Sequence, residues 1–348
     1  MNDVDRFVGP DPQDMRAQIA ALPEQLEAGW DLGMRQPSLA GGKPALVILA
    51  GMGGSAIGAD LVAAYAGSML PVPLIVWRGY DLPACAGPET LVVLSSYSGN
   101  TEETLSAYDA GRRASARLLA VTTGGELARR CDAAGIPVWR FEHRGQPRAA
   151  VGFSFALVLA GLHRLGLVSD AGGDIHLAAQ AMCDQQQVLR PESAVTRNPA
   201  KRMAGQFIDR MPLIVGGGLL APVARRWRTQ IAELAKAVAQ FEELPEADHN
   251  MVAGVGQPES LITRTMAVFL RAGLDSPRLA ARVEATRQVL MVEGFNTDVI
   301  DAAGTTRLAQ QWTCLHYGDY VAYYLAMAYG VDPTPVAAIE DLKARLRD

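Results

Sequence analysis

Residues 44–58 read PALVILAGMGGSAIG, an apolar run that stops at closely spaced glycines. Such a run is typical of a buried strand, and the glycines and small residues after it predict a tight turn that leads into a helix. At such a turn, backbone N–H groups and the positive end of the helix can approach an anion. A turn that needs glycine for backbone reasons alone is the alternative interpretation.

The same pattern of short apolar runs separated by helical or turn-like stretches continues along the chain. Further strands are predicted at residues 74–77, 90–94, 118–121 and 138–141. Continuous apolar strands that alternate with helices indicate a parallel sheet covered on both faces. After a helical stretch, residues 211–220 read MPLIVGGGLL and repeat the opening order of strand, glycines and helix. We therefore predict an α/β fold of two doubly wound domains, each with a mainly parallel sheet flanked by helices.

The chain has 348 residues, which is enough for two domains with sizeable cores. We expect a helical lead-in over 1–40, a first domain over 41–190 that carries the glycine-rich turn, and a second domain over 191–348 with the C-terminal helices. In the second domain the pattern predicts strands at 260–263 and 266–270 and helices at 277–294, 308–329 and 335–346.

Composition excludes several classes of protein. The formal charge is −5 and basic residues are spread along the chain, so we expect no nucleic-acid partner. The longest apolar stretch, residues 149–162, is too short to cross a bilayer, and the polar start does not resemble a secretory signal. The four cysteines are scattered, which is typical of a reducing cytoplasm rather than of a disulfide framework. We expect a cytoplasmic protein.

The glycine-rich turn fits only a loose form of the dinucleotide fingerprint. Ala56 stands in the place of the third glycine, and Trp77 and Arg78 stand where a ribose-binding acid would end the next strand. Neither glycine-rich turn continues into the Gly-Lys-Ser/Thr of an ATP-binding loop, and the histidines have no metal-ligand spacing. We therefore expect neither a cofactor nor a metal ion.

A second loop, residues 95–104, reads SSYSGNTEET and follows another apolar strand. Its hydroxyls at Ser96, Ser98 and Thr101, with a glycine and a helix start, can surround one phosphate with neutral donors. The alternative is that Thr101 only caps the helix, with Glu102 and Glu103 favouring its positive end. Two such loops in one sheet favour phosphate binding.

These two loops, GMGGSAIGADL and SSYSGNTEET, resemble the SIS (sugar isomerase) domain, and nearly the whole chain resembles the bifunctional phosphoglucose/phosphomannose isomerase family. The resemblance implies a metal-independent aldose-ketose isomerase that interconverts glucose 6-phosphate, and mannose 6-phosphate, with fructose 6-phosphate through an enediolate. It implies that the substrate phosphate is bound by Ser55, Ser96, Ser98 and Thr101 and by the backbone at Gly53 and Gly54.

The resemblance also implies catalytic residues. Residues 230–236, QIAELAK, resemble the segment that carries the catalytic glutamate, which places Glu233 as the base. The family commonly has asparagine on either side, where this chain has Ala232 and Leu234. Residues 146–149, QPRA, resemble the segment whose arginine faces the reacting carbons, so Arg148 would stabilise the enediolate.

Three further residues follow from the same resemblance. Residues 246–250, EADHN, resemble the segment whose histidine handles ring opening and is contributed to the neighbouring subunit, so His249 would act across the interface of a homodimer. The closing segment places Thr334 and Lys343 at the substrate. A solvated lysine on a terminal helix is the alternative for Lys343.

Two other functions remain open at this point. A non-catalytic sugar-phosphate sensor would keep the fold and the phosphate loop without turnover. The isomerase half of an amidotransferase is disfavoured because Met1 is followed by Asn2 rather than by a cysteine nucleophile, and because no glutaminase domain precedes the first domain.

Overall fold

A computed structural model describes residues 1, 9–37, 39 and 41–346. The chain divides into two compact units. The first, called here the five-strand unit, comprises residues 21–182 and 304–312; the second, the four-strand unit, comprises residues 1–20, 183–303 and 313–348. The predicted boundaries after residues 40 and 190 stay a prediction. Over the described ranges, no helix is long and apolar enough to cross a membrane.

Up to the end of the first sheet and the helices after it, the elements in chain order are α1 Met15–Ala20, α2 Leu22–Arg35, β1 Leu46–Gly51, α3 Gly53–Ala66, β2 Leu74–Trp77, β3 Thr90–Ser95, α4 Glu102–Arg113, β4 Arg117–Thr122, α5 Gly125–Ala133, β5 Val138–Arg140, α6 Val151–Arg164 and α7 Gly172–Leu189. They are followed by α8 Pro199–Phe207, β6 Met211–Gly217, α9 Ala221–Leu234, β7 Gln240–Leu244, α10 Glu259–Ile262, β8 Thr265–Arg271, α11 Pro277–Val292, β9 Asn296–Asp301, α12 Arg307–Tyr329 and α13 Ala337–Arg345.

The five-strand unit contains a parallel sheet in the order β2-β1-β3-β4-β5. Its central strands β1, β3 and β4 are buried along nearly their whole length, and Ile48, Val92 and Ala120 belong to one core cluster with Leu127 and Cys131 of α5. Burial on both faces explains why these strands are continuous apolar runs.

The four-strand unit contains a second parallel sheet in the order β7-β6-β8-β9. The strands β6 to β9 correspond in chain order to β1 to β4, and with this correspondence the two sheets have the same strand order. The chain therefore repeats one fold. The predicted α/β fold of two doubly wound sheets is confirmed.

The structure corrects the sequence analysis of the second sheet. The strand predicted at 260–263 is wrong, because Glu259–Ile262 forms the short helix α10 directly after Pro258. The edge strands β7 and β9 were missed. Their sequences, QFEEL and NTDVID, are polar because an edge strand is partly solvated, so they lack the continuous apolar run that marks the inner strands.

A buried ion pair joins α9 to α12 in the four-strand unit. Arg226 donates from Nε to Oδ1 of Asp319 at 3.0 Å and from Nη2 to Oδ2 at 2.6 Å, and both side chains are almost fully buried. Beside it, Trp227 Nε1 donates to the Cys314 carbonyl at 3.0 Å. A Cβ at Gly318 would lie 2.0 Å from Trp227 Nε1, so only glycine allows this close packing of the two helices.

Candidate functional site

The two predicted phosphate loops begin side by side in the five-strand unit. Gly51 and Ser95, the last residues of β1 and β3, are paired in the sheet register. The next strand after β1 lies on one side of this pair and the next strand after β3 on the other, so the two loops diverge here. In open α/β sheets, ligands bind in the crevice that such a reversal opens at the carboxyl ends of the strands.

The Ser/Thr loop, residues 96–101, folds on its own hydroxyls. Ser96 Oγ lies 2.9 Å from Thr101 Oγ1 and accepts the Gly99 N–H at 3.1 Å, while Ser98 Oγ accepts the Asn100 N–H at 3.1 Å. Gly99 has φ +67°, and a Cβ there would lie 1.8 Å from the Gly124 carbonyl oxygen. The loop therefore holds Ser96 and Thr101 together, with Ser98 exposed.

Thr101 occupies the N-cap position of α4, but its side chain makes no capping hydrogen bond. Its hydroxyl contacts Ser96 instead. Glu102 and Glu103 lie in the first turn of α4, where carboxylates favour the positive end of a helix. The geometry thus weakens the interpretation of Thr101 as only a helix cap.

The glycine turn lies directly against the segment that contains Arg148. Gly53 has φ +52° and begins α3, and Ser55 is buried in the first turn. A Cβ at Gly54 would lie 2.9 Å from the Pro147 carbonyl oxygen and 3.3 Å from Arg148 Cα. Arg148 itself lies in a single 3-10 turn, is 5 % exposed, and donates from Nη1 to Gln146 Oε1 at 3.4 Å. The unit therefore brings Arg148 to the glycine turn.

Glu233 lies near the end of α9 and lines an open pocket of about 700 Å³ within the four-strand unit. Arg228 and Lys236 contribute charged groups to the same pocket, and residues 335–339 form another part of its wall. Most of the remaining lining is small and apolar. This volume is in the usual range of small-molecule sites.

The two other residues predicted in this unit flank the pocket segment 335–339. Thr334 is buried, and its N–H donates to Asp332 Oδ1 at 2.8 Å. Lys343 is exposed on α13. Neither side chain lines the pocket. Glu233 shares the pocket with residues 335–339, which lie between Thr334 and Lys343 in sequence.

The neighbours of Glu233 have different surroundings. Leu234 is fully buried in the core, whereas Ala232 is exposed and lines the pocket. The departure from asparagine at residue 234 therefore concerns packing, and the one at residue 232 removes a polar amide from the pocket wall.

His249 lies away from Glu233 within the unit. It is exposed in the short 3-10 turn Glu246–His249, after the end of β7, whereas Gln240 at the start of β7 lines the Glu233 pocket. The five residues of β7 rise about 3.3 Å each, so its ends are separated by about 13 Å. A single four-strand unit does not bring the two side chains together.

The turn that carries His249 is held by Asp248, which the sequence analysis did not single out. Asp248 accepts from Arg282 Nη1 at 2.5 Å and from the Thr286 hydroxyl at 2.6 Å, both on α11. An acidic residue next to the predicted histidine was the only sequence signal for this contact.

The second glycine turn does not repeat the anion-binding geometry. A Cβ at Gly217 would lie 2.8 Å from Leu279 Cδ1, and a Cβ at Gly218 would lie 3.0 Å from Leu279 Cδ2 and 3.6 Å from Asp275 Oδ1. A leucine side chain therefore packs against this turn, and a carboxylate, which would repel an anion, lies close to it. The chain repeats the fold but not the chemistry of the loop.

The remaining histidines contact neighbouring side chains or carbonyls of their own units: His143 with Tyr97, His163 with the Val168 carbonyl, His176 with Glu27, and His316 with the Ile19 carbonyl. Burial lowers the pKa of His316 to about 4, so it is neutral in the core at pH 7. In the part of the chain that the structure describes, no cluster of three or more His, Cys, Asp or Glu residues could hold a metal ion.

Comparison with known proteins shows the family to which the chain belongs. Residues 196–346 match the model of the bacterial phospho-glucose isomerase C-terminal SIS domain. The chain is 36 % identical over 338 residues to the bifunctional phosphoglucose/phosphomannose isomerase of Caldicellulosiruptor bescii, covering 96 % of this chain and 99 % of that protein. It is 30 % identical to the bifunctional phosphoglucose/phosphomannose isomerase of Aquifex aeolicus, over 86 % of this chain and 90 % of that one.

A solved structure of similar fold is that of a glucose-6-phosphate isomerase like protein from Thermus thermophilus, with a TM-score of 0.63 and 21 % identity over 96 % of this chain and 98 % of that one. The fold and the loops define an α/β protein of the SIS class. Within that class, the chain belongs to the bifunctional phosphoglucose/phosphomannose isomerase family. The resemblance inferred from the two loops is confirmed.

Proposed function

We propose that this protein interconverts glucose 6-phosphate and mannose 6-phosphate with fructose 6-phosphate. The observation that carries the proposal is the Ser96–Thr101 hydroxyl pair, with Ser98 exposed in the same loop, at the reversal point of the sheet, in a unit that also brings Arg148 to the glycine turn. A chain-long similarity to proteins named for this activity supports it.

The phosphate is bound by the two loops of the five-strand unit. The hydroxyls of Ser55 and Ser98 donate to its oxygens; in the Ser96–Thr101 pair one hydroxyl donates to the other, and the second donates to the phosphate. The backbone at Gly53 and Gly54 approaches the phosphate at the start of α3. Neutral donors and a helix start bind the dianion without a lysine. The phosphate thereby anchors one end of the open-chain sugar.

Glu233 is the base that transfers the proton. Its carboxylate removes a proton from one of C1 and C2, the proton it then holds exchanges with solvent, and the carboxylic acid delivers a proton to the other carbon, while the fixed donors of Arg148 stabilise the negative charge of the enediolate. Thr334 and Lys343 contact the sugar near this centre. If the enediolate rotates about C2–C3, Glu233 can protonate either face of C2, which gives both aldose products.

Ring opening is assigned to His249 of a second copy in a homodimer. The separation of Glu233 and His249 along β7 supports this assignment, because one four-strand unit does not supply both groups to the same pocket. We place this reaction in the cytoplasm, in glycolysis and gluconeogenesis.

Mixing two inactive variants tests the shared site. Glu233→Gln and His249→Ala each leave a homodimer with two defective sites. After joint unfolding and refolding, half of the dimers are mixed, and each mixed dimer has one site with both native residues. We expect about a quarter of the unsubstituted activity to return. If the mixture stays as inactive as the separate variants, His249 does not act across an interface.

The activity itself is tested with purified protein, fructose 6-phosphate and EDTA, with coupled detection of glucose 6-phosphate and mannose 6-phosphate in separate reactions. Formation of both aldoses is expected. Glucose 6-phosphate alone would restrict the function to a phosphoglucose isomerase. No turnover, with fructose 6-phosphate still raising the melting temperature, would instead support the sugar-phosphate sensor.

A further inference from the structure

Tyr97, the one large side chain of the Ser/Thr loop, links that loop to the segment before Arg148. Its hydroxyl lies 3.0 Å from the His143 carbonyl oxygen and 3.1 Å from the Gly145 carbonyl oxygen. Both carbonyls belong to the chain that leads directly into the turn of Arg148. The hydroxyl also lies 3.1 Å from His143 Nδ1.

Hydrogen bonds and ring contacts hold both the backbone and the side chain of Tyr97 in place. The Tyr97 carbonyl accepts from the Thr123 N–H at 3.1 Å and from the Thr123 hydroxyl at 2.7 Å, which ties the loop to the end of β4. The Tyr97 ring packs edge-on against Phe141 at 6.1 Å and against His143 at 5.7 Å between centroids. The hydroxyl is therefore directed at the two carbonyls by packing on both sides.

The protonation states fit this arrangement. Burial raises the pKa of Tyr97 and lowers the pKa of His143, so both are neutral at pH 7. The single hydroxyl proton is shared by the two carbonyls, and the hydroxyl oxygen accepts from His143 when Nδ1 carries the proton.

Arg148 is thus held between the two loops that form the proposed phosphate site. Gly54 of the glycine turn touches its backbone on one side, and Tyr97 of the Ser/Thr loop holds the chain that precedes it. A phosphate bound by the Ser/Thr loop therefore contacts the same loop whose Tyr97 hydroxyl holds the carbonyls before Arg148.

We propose that Tyr97 is a positioning residue that couples phosphate binding to the placement of Arg148. The inference rests on the proposed isomerase function and deepens it. Through this link, part of the binding energy of the phosphate, which is remote from the reacting carbons, is used to orient the group that stabilises the enediolate.

The test is Tyr97→Phe, with Tyr108→Phe as the matched control. Tyr108 is a buried tyrosine of the same unit, whereas Tyr97 is half-buried, and the Tyr108 hydroxyl likewise donates to a backbone carbonyl, that of Arg130 at 3.3 Å, between α4 and α5. We expect Tyr97→Phe to lower kcat for fructose 6-phosphate by about tenfold, the loss of roughly one hydrogen bond, with little change in KM. Tyr108→Phe should leave kcat unchanged.

A second measurement separates coupling from a general loss of structure. With unphosphorylated D-fructose as substrate, added inorganic phosphite should stimulate isomerisation by the unsubstituted protein and by Tyr108→Phe but not by Tyr97→Phe. Equal phosphite stimulation in all three proteins, or a Tyr97→Phe variant that raises KM without lowering kcat, would overturn the inference. Failure of the proposed function is distinguishable, because then the unsubstituted protein would not turn over fructose 6-phosphate, and the inference would fall with it.

Discussion

Replacing Glu233 with glutamine lowers kcat for fructose 6-phosphate isomerisation by about 10²- to 10⁴-fold, the usual contribution of a general base. Glutamine keeps the size of the side chain but cannot take a proton from C1 or C2. The phosphate loops are unchanged by this substitution, since they belong to the five-strand unit. Fructose 6-phosphate should therefore still raise the melting temperature of the variant, which is measured together with its turnover.

Glu293→Gln is the matched control for that substitution. Glu293 is exposed at the end of α11 in the same unit, so it should keep full activity. A Glu233→Gln variant with activity within a few-fold of the unsubstituted protein would contradict the assignment of the base. Loss of ligand-induced stabilisation along with activity would contradict the separate roles of Glu233 and the phosphate loops.

Asp319→Ala should destabilise the protein by about 3–5 kcal/mol, because it leaves the buried guanidinium of Arg226 without its counter-charge. The expected observation is a large decrease in the urea concentration at the unfolding midpoint. The effect is large since Asp319 accepts two hydrogen bonds from Arg226 in a site that water does not reach.

Asp301→Ala provides the comparison, because Asp301 pairs with Arg271 on the surface of the same unit. An exposed ion pair contributes about 0–1 kcal/mol, so this variant should unfold close to the unsubstituted protein. Joint replacement by Arg226→Met and Asp319→Leu should recover much of the loss, since it removes both buried charges. Equal effects of Asp319→Ala and Asp301→Ala would show that burial does not decide the contribution of the pair.

The sequence predicts all five strands of the first sheet and the inner strands of the second, but not β7 and β9 at the edges of the second sheet. Runs such as residues 46–51 and 90–95 are buried on both faces, so their hydrophobicity alone marks them as strands. The strands β7 and β9 lie at the two edges of the second sheet, and their sequences are polar rather than continuously apolar. Only the pairing of β7 with β6 and of β9 with β8 makes them strands, and pairing is not visible in a single sequence.

Some residues of the candidate site can be predicted from their own chemistry, and others cannot. Ser96, Ser98 and Thr101 were identified from the residues themselves, because hydroxyls next to a glycine and a helix start have a direct chemical meaning. Glu233 and His249 were identified only through the family resemblance, since a lone glutamate or histidine carries no such pattern.

The sequence analysis does not single out Tyr97, the proposed positioning residue, because its contacts join segments far apart in sequence. A single large aromatic residue within a loop of small polar ones was the available signal. Its hydrogen bonds to residues 143 and 145 appear only when the folded five-strand unit brings the two segments together.

The central claim is that this protein converts fructose 6-phosphate into aldose 6-phosphates by proton transfer through an enediolate. The most direct test is to run the reaction in D₂O and to record the products by ¹H NMR. The account predicts glucose 6-phosphate and mannose 6-phosphate with deuterium at C2, because the enediolate lets the proton held by Glu233 exchange with solvent. Failure to form either aldose, or products that retain only protium at C2, would contradict it.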